Sequence, residues 1–174
     1  SSRLPGKALY PLGGVAMVAF LLRRLLAAGL TAPVVLATSE GREDDPVAAW
    51  GEACGVQVFR GPREDVLARY LGCLARFGAR GGVRVTADNP LTHPGAVADC
   101  LEALAAGACD CVDALDGYPV GAGADGFSLD HLWHVQKTRP ENRYHEHLNA
   151  FALDFPDRVT VRHRPAPDHL TMPR

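Results

Sequence analysis

The first seven residues, SSRLPGK, combine small side chains with two cations. Small residues let backbone N–H groups approach phosphate oxygens closely, and Arg3 and Lys7 can neutralise phosphate charge. The spacing differs from that of a Walker A loop, which requires G-x-x-x-x-G-K-[ST]. We interpret Ser1, Ser2, Arg3, Gly6 and Lys7 as a phosphate-binding loop, with a charged surface turn as the alternative.

Asp88 follows the predicted strand GVRVT (82–86) and is a second candidate. Parallel sheets place their active sites at the carboxyl ends of the strands. A carboxylate at that place can hold Mg²⁺ against the phosphates of a nucleotide. The alternative is a structural Asx-turn before Pro90.

The segment DVLARY (65–70) is a third candidate. Its apolar residues Val66, Leu67 and Tyr70 share one helical face, which predicts a core contact. Arg69 either points to a ligand or belongs to a solvated helix face.

Histidine and cysteine pairs give weaker signals. His145 and His147 are two residues apart and do not share a helical face, so they favour a helix surface or subunit contact over a zinc site. His131 and His134 have better spacing for a metal but no evident third ligand. The C-x-C pair at 109–111 is interpreted as small apolar residues of a buried strand.

Composition narrows the class of protein. A length of 174 residues suits one domain, and a net charge of -2 disfavours a nucleic-acid polymer or an anionic membrane as partner. The apolar run 15–30 contains Arg23 and Arg24, which indicates a core helix rather than a membrane span. Five cysteines without a C-x-x-C pair favour a reducing compartment, so we expect a cytoplasmic protein.

Strand and helix signals alternate along the first two thirds of the chain. Strands are predicted at 33–38, 56–59, 82–86 and 109–114, and helices at 17–26, 45–54, 64–77 and 94–106. This alternation predicts an α/β fold with a mainly parallel sheet and helices on both faces. Further along, we predict a loop or hairpin at 117–126, helices at 128–135 and 142–155, and a strand at 158–163. We interpret 117–165 as an α+β extension that covers a substrate or meets a second subunit.

The order of these motifs resembles the cytidylyltransferase family, which includes the enzymes that make CMP-activated sugar acids and the spore-coat polysaccharide-type members. The matching motifs are SSRLPGK, PLGG, MVAFLLRRLLAAG, VVLATS, EDDP, GVQVFRG, EDVLARY, VRVTADNPL and Glu146–His147. The resemblance covers nearly the whole chain. It implies a Rossmann-like three-layer αβα nucleotidyltransferase fold in one domain, with a first strand before Ser1 and a closing helix after Arg174.

The resemblance also implies a reaction and roles for residues. An acceptor oxygen would attack the α-phosphorus of CTP, and pyrophosphate would leave. Catalysis would rest on positioning and on neutralisation of charge by Arg3, Lys7 and Mg²⁺ at Asp88. The residues near the base and ribose would be Arg60, Gly61 and Arg69. The helix with Glu146 and His147 would help to form a homodimer.

The chain departs from the family pattern on the acceptor side. Val15–Ala16 replace a basic residue and Pro, and of a Gly-x-Asp-x-Glu-like pattern only Asp125 is present. Leu170–Thr171 lead into Met172–Arg174 instead of a second metal-binding Asp. We assign acceptor binding to Asp125 and Tyr118, and expect a small acidic acceptor, either a sugar acid or a phosphonate of natural-product biosynthesis.

Two other functions stay open. A glycosyltransferase that uses a nucleotide-sugar should carry a D-x-D-like metal motif, but the second acid is not found in Asp88-Asn89-Pro90. A catalytically inactive nucleotide-binding module would explain the lost acid and the altered Gly-Gly context.

Overall fold

The computed structural model describes residues 6–171. Within them, eight strands are β1 (Pro11–Leu12), β2 (Val15–Ala16), β3 (Val35–Ser39), β4 (Gln57–Gly61), β5 (Gly81–Arg84), β6 (Cys111–Ala114), β7 (Ala124–Ser128) and β8 (Val161–His163). The α-helices of this region are α1 (Met17–Ala27), α2 (Asp45–Ala53), α3 (Val66–Arg76), α4 (Pro94–Ala105), α5 (Leu129–Thr138), α6 (Asn142–Glu146) and α7 (Ala150–Asp154).

The strands form two main sheets and one short hairpin. β3 and β4 are parallel, with Val35 opposite Gln57. A four-stranded sheet has the order β5-β7-β6-β8, in which β6 and β8 are parallel and β7 is antiparallel to both neighbours. The hairpin β1–β2 turns through Gly13 and Gly14, whose positive φ angles of 59° and 85° suit residues without a Cβ.

Helices cover both faces of the strands. On one face, α1 and α4 pack on β6 and β7, and α1 also packs with α2 on β3. On the other face, α3 and α5 enclose Phe127 of β7, which is 1% exposed. This arrangement confirms the predicted three-layer α/β fold. No helix within residues 6–171 combines the length and apolar character needed to cross a bilayer.

The predicted loop or hairpin at 117–126 is confirmed as a hairpin, since residues 115–123 join the antiparallel strands β6 and β7, and β7 begins at Ala124 within the predicted segment. Its sequence, ADGFS, has few of the β-branched and aromatic residues that mark a strand. Close packing of α4 favours such small residues instead. A Cβ added to Gly126 would lie 3.0 Å from Leu104 Cδ1 and 3.5 Å from Cys100 Cβ.

The prediction of one helix over 142–155 is wrong. α6 ends at Glu146 and α7 begins at Ala150, because His147 adopts an extended backbone with φ -116° and ψ 97°. The break brings Leu148 into the core, where it is 2% exposed. Burial of this one side chain thus competes with the continuity of the helix. The predicted helix start at Ser128 is confirmed, since Ser128 Oγ accepts a hydrogen bond from His131 N at 3.2 Å.

Candidate functional site

Lys7 and Asp88 meet beyond the carboxyl end of β5. The Lys7 ammonium lies 3.1 Å from Asp88 Oδ2, and the two side chains are 37% and 43% exposed. Lys7 begins a single 3-10 turn directly after Gly6, whose φ of 69° lies in the left-handed region. The structure therefore places the predicted phosphate-binding lysine beside the predicted metal-binding aspartate. The predicted phosphate-binding residues outside the described range are Ser1, Ser2 and Arg3.

Tight turns hold the loop that carries Asp88. Asn89 N donates to Thr86 O at 2.9 Å, and Thr92 N donates to Asn89 O at 3.1 Å. Burial raises the pKa of Asp88, but hydrogen bonds from Lys7 and Thr86 and the charge of Lys7 outweigh it. The net pKa is below the usual 3.8, so Asp88 is a carboxylate at neutral pH.

The partly exposed Asp88 carboxylate suits a hard divalent cation. Mg²⁺ prefers oxygen ligands and is commonly held by one or two carboxylates together with substrate phosphates and water. Among residues 6–171, no group of three or more His, Cys, Asp or Glu side chains could hold a metal ion. The residues described here fit a cation shared with a substrate phosphate, and do not fit a closed protein cage.

Arg60, at the end of β4, ties two loops together. Its guanidinium donates to Ser39 O at 2.8 Å and to Gly41 O at 2.7 Å, and it pairs with Asp45 Oδ1 at 2.6 Å. Gly61 follows Arg60 at the same edge and pairs with Ser39 in the β3–β4 register. Since all three guanidinium nitrogens are engaged, Arg60 shapes the walls of this part of the site. Direct contact of Arg60 or Gly61 with a base or ribose stays a prediction.

Arg69 holds the loop between β4 and α3. Its Nη1 donates to Pro62 O at 2.6 Å and to Arg63 O at 3.2 Å. A Cβ added to Gly61 would lie 3.0 Å from Arg69 Cγ, so the glycine allows the arginine stem to approach β4. Arg69 and Gly61 thus lie together, next to the loop that follows β3.

Asp44, which sequence reasoning interpreted only as part of a helix start, lies in the loop after β3, next to Arg60 and Arg69. Its Oδ2 accepts hydrogen bonds from Thr38 Oγ1 at 3.1 Å and Ser39 N at 3.2 Å. Burial raises the pKa of Asp44, but bonds from Ser39 and Thr38 and the charge of Arg69 outweigh it and lower the net value. The sequence feature that could have drawn attention to Asp44 is its position five residues after β3, which ends in Thr38 and Ser39.

Asp125 lies in the central strand β7 rather than in a loop. Arg84 Nη2 and Nε hold its two oxygens at 2.7 and 3.1 Å, and the Asp125 side chain is 11% exposed. Burial raises the pKa of Asp125, Arg84 opposes the rise, and Asp113 of the neighbouring strand adds to it. Sequence reasoning missed Arg84 because its partner is 41 residues away on an unpredicted strand.

Tyr118 lies on the other face of the sheet, in the cluster packed by α1 and α4. Its ring is 5.9 Å from the ring of His93, and both line a cavity of about 220 Å³. Mostly apolar residues complete the walls: Leu91, Pro119, Val120, Ala122 and Leu170. His93 N donates to Ala122 O at 2.6 Å, so the cavity borders the Asp88 loop. The structure does not bring Tyr118 and Asp125 together.

His145 is an internal support rather than an exposed contact. Its Nδ1 lies 2.7 Å from Asp65 Oδ2 and its Nε2 lies 2.9 Å from Arg139 O. Glu146 and His147 are exposed. The predicted subunit contact of these two residues stays a prediction.

In the other histidine and cysteine pairs, one member of each lies in the core: His131 and Cys111 are buried, whereas His134 is exposed and Cys109 is partly buried and precedes β6. The rings of His131 and His134 lie 5.8 and 5.7 Å from the ring of Phe151. Cys111 is 4% exposed, and burial raises its pKa well above that of a free thiol. The interpretation as a buried strand residue is therefore confirmed for Cys111 and not for Cys109.

A protein-family model described as "Cytidylyltransferase" matches residues 1–152. An uncharacterized protein of Methanocaldococcus jannaschii is 29% identical over 170 residues, covering 98% of this chain and 70% of that protein. Spore coat polysaccharide biosynthesis protein SpsF of Bacillus subtilis is 27% identical over 179 residues, covering 100% and 74%. The 3-deoxy-manno-octulosonate cytidylyltransferase of Geobacter metallireducens is 33% identical over 108 residues, covering 62% and 42%.

Solved structures share the fold. A cytidylyltransferase from Leptospira borgpetersenii superposes with a TM-score of 0.89 at 24% identity, covering 95% of this chain and 71% of that one. CMP:2-keto-3-deoxy-manno-octonic acid synthetase in complex with CTP gives 0.71 at 17%, covering 95% and 85%. A Mycobacterium tuberculosis protein in complex with manganese gives 0.65 at 18%, covering 92% and 80%. The family match extends over most of the chain, and the protein therefore belongs to the cytidylyltransferase family.

Proposed function

We propose that this protein transfers CMP from CTP to a small acidic acceptor and releases pyrophosphate. The observation that carries the proposal is the 3.1 Å contact between Lys7 and Asp88. It joins a cation suited to phosphate and a carboxylate suited to a divalent metal at one edge of the sheet. Family membership supports the nucleotidyl chemistry, and the CTP complex of a protein with the same fold supports the choice of nucleotide.

Lys7 would act mainly through its charge. Its ammonium would bind the triphosphate and lower the energy of the negative charge that develops on the departing pyrophosphate. Arg3 would assist from the same loop. The acceptor oxygen would attack the α-phosphorus in line with that leaving group. An acceptor that is already an anion brings its own nucleophile, so the step requires no general base from the chain.

Asp88 would hold Mg²⁺ against the phosphates of the bound nucleotide. When bound, such a cation neutralises phosphate charge and orients the triphosphate. The manganese complex of a protein with the same fold supports use of a divalent metal.

The second wall of the nucleotide site would come from the loops after β3 and β4. Arg60, Gly61 and Arg69 lie there together and would surround the base and ribose. We assign the acceptor to the cavity beside Tyr118, which borders the Asp88 loop, and keep Asp125, which pairs with Arg84 on the other face of the sheet, as a separate candidate. A sugar acid or a phosphonate would supply the anionic oxygen that attacks the α-phosphorus. We further propose a cytoplasmic homodimer that uses the helix with Glu146 and His147.

Calorimetric titration with CTP, ATP, GTP and UTP in the presence of Mg²⁺ tests the nucleotide. We expect CTP to bind most tightly, and preference for another nucleotide would contradict the proposal. Pyrophosphate release from CTP with a panel of sugar acids and a panel of phosphonates then identifies the acceptor. Turnover of sugar acids alone would exclude the phosphonate, and CTP binding with no turnover of either panel would favour an inactive binding module.

The Lys7→Ala variant separates catalysis from folding. We expect it to lose about 100-fold or more in pyrophosphate release, the usual cost of removing a group that stabilises the transition-state charge. Lys137→Ala is the matched control, because Lys137 is exposed on α5. Equal activity of the two variants would remove Lys7 from the mechanism.

A further inference from the structure

Arg24 connects helix α1 to the loop that carries Asp88. It is half-buried near the end of α1, and its Nη1 donates to Pro90 O at 2.7 Å and to Thr92 O at 3.1 Å. One nitrogen therefore bridges two carbonyls of a single loop. The adjacent Arg23 is exposed. Of these two neighbouring arginines, Arg24 contacts the loop that carries Asp88, whereas Arg23 is exposed to solvent.

A chain of hydrogen bonds connects the loop carbonyls that Arg24 contacts with the backbone around Asp88. Thr92 is 1% exposed, and both its N–H and its hydroxyl donate to Asn89 O, at 3.1 and 3.0 Å. Asn89 N in turn donates to Thr86 O at 2.9 Å. Asp88 lies between the two residues of that last bond. Fixing Thr92 therefore restricts the backbone on which Asp88 stands.

The same helix also anchors the Lys7 segment. Met17 N, at the start of α1, donates to Tyr10 O at 2.9 Å. Ala8 and Leu9, which follow Lys7, pack against the apolar cluster that contains Val18 of α1. α1 thus holds the Lys7 segment at its first residue and the Asp88 loop at Arg24.

We infer that Arg24 is a positioning residue that sets the place of the Asp88 carboxylate relative to Lys7. Charge-assisted hydrogen bonds are short and directional, so they suit this role. Removing the guanidinium leaves two carbonyls of a partly buried loop without this donor, and the loop opens more often. The effect of this loop opening on metal binding rests on the proposed function of Asp88.

Hydrogen exchange of the ligand-free protein tests the positioning directly. Arg24→Met keeps an apolar stem and removes the donors, Arg24→Lys keeps an ammonium that can bridge two carbonyls, and Arg23→Met is the matched control. We expect Arg24→Met to accelerate exchange of the Asn89 and Thr92 amides by about tenfold or more. Arg24→Lys should restore most of the protection and Arg23→Met should leave it unchanged. Equal exchange in the two Met variants would overturn the inference.

A titration of Mn²⁺ into protein and CTP tests the consequence for the site. We expect Arg24→Met to shift the midpoint of metal-dependent CTP binding upward by about tenfold, as for other residues that orient a metal ligand. Arg24→Lys should shift it less, and Arg23→Met not at all. Faster exchange with an unchanged midpoint would refute a role of Arg24 in metal binding.

The two tests separate this inference from the proposed function. If the unmodified protein shows no metal-dependent CTP binding, the proposed function fails, while the exchange rates still decide whether Arg24 positions the loop. Should Arg24→Met not fold, Arg24→Gln replaces it with the same expectation, because its shorter side chain does not reach both carbonyls.

Discussion

Arg84 and Asp125 form a two-bond ion pair across the adjacent strands β5 and β7, with donor–acceptor distances of 2.7 and 3.1 Å. The pair is largely buried, with the two side chains 22% and 11% exposed. Arg84 also lies over the ring of Phe127, 5.9 Å from its centroid. Asp125, the one acid left of the Gly-x-Asp-x-Glu-like pattern, is therefore part of the sheet's own structure.

Removing both partners of this pair should cost less than the sum of the two single losses. Arg84→Met leaves the Asp125 carboxylate buried without its cation, and we expect it to lower the free energy of unfolding by about 3 kcal/mol. The double variant Arg84→Met/Asp125→Ala should lose clearly less than the sum of the two single variants. Urea denaturation measures the free energy of unfolding of the unmodified protein, the two single variants and the double variant. Additive losses would show that the two side chains act independently.

Lys7 and Lys137 are the two lysines of the chain, which allows a simple footprinting experiment. An amine-acylating reagent should modify both, since Lys7 is partly exposed and Lys137 is exposed. CTP and Mg²⁺ at about 100 times the dissociation constant nearly fill the site, so we expect acylation of Lys7 to slow by about tenfold or more. Mass spectrometry of the two peptides gives both rates. Lys137 is the internal control, and equal protection of both lysines would argue against a triphosphate contact at Lys7.

Acid should weaken the contribution of Asp88 in a defined range of pH. The pKa of Asp88 is lowered in the folded protein, so the stability it contributes is present above its unfolded-state pKa of about 3.8. That stability is lost as the pH falls through the lower folded-state pKa. Both partners are substantially exposed, so the effect at neutral pH is below about 1 kcal/mol.

Chemical denaturation of the unmodified protein and Asp88→Asn over a pH series measures this contribution. The difference in free energy of unfolding should be constant from pH 7 to about pH 5 and should shrink below pH 4. Glu52→Gln, at an exposed position of α2, is the control. If the difference in unfolding free energy between the two proteins is as large at about pH 2 as at pH 7, the lowered pKa of Asp88 is contradicted.

The meeting of Lys7 and Asp88 was within reach of sequence reasoning. Both residues border predicted strands or their loops, and the carboxyl ends of parallel strands converge at one edge of a sheet. The family resemblance, rather than this argument, predicted that Arg60, Gly61 and Arg69 lie together. Alternating apolar runs predicted the layers of the fold, because burial of such runs determines which faces pack.

Contacts that involve no predicted strand end were not predictable in this way. Arg24 reaches a loop 66 residues further along the chain, and nothing in its local sequence distinguishes it from Arg23. β7 is a strand because it pairs with β5 and β6, and α4 packs closely on Gly126, although the composition ADGFS resembles that of a loop. The break after Glu146 depends on burial of Leu148, which outweighs the helical spacing of the segment. In each case tertiary packing decides the outcome.

His145 should stabilise the junction of three helices. It bridges Asp65, which caps α3 by accepting from Ala68 N at 2.7 Å, and Arg139 O at the end of α5. His145→Ala removes both bonds from a side chain that is 15% exposed. We expect it to lower the free energy of unfolding by about 1–3 kcal/mol.

Glu146→Ala separates this internal role from the proposed role in a dimer. Glu146 is exposed on the same short helix, so its loss should leave the stability of the isolated protomer within about 0.5 kcal/mol of the unmodified protein. If this residue lies at a subunit contact, sedimentation equilibrium should show a weaker dimer for Glu146→Ala. A loss of unfolding free energy in Glu146→Ala as large as in His145→Ala, measured at protomer concentrations below dimerisation, would contradict the distinction.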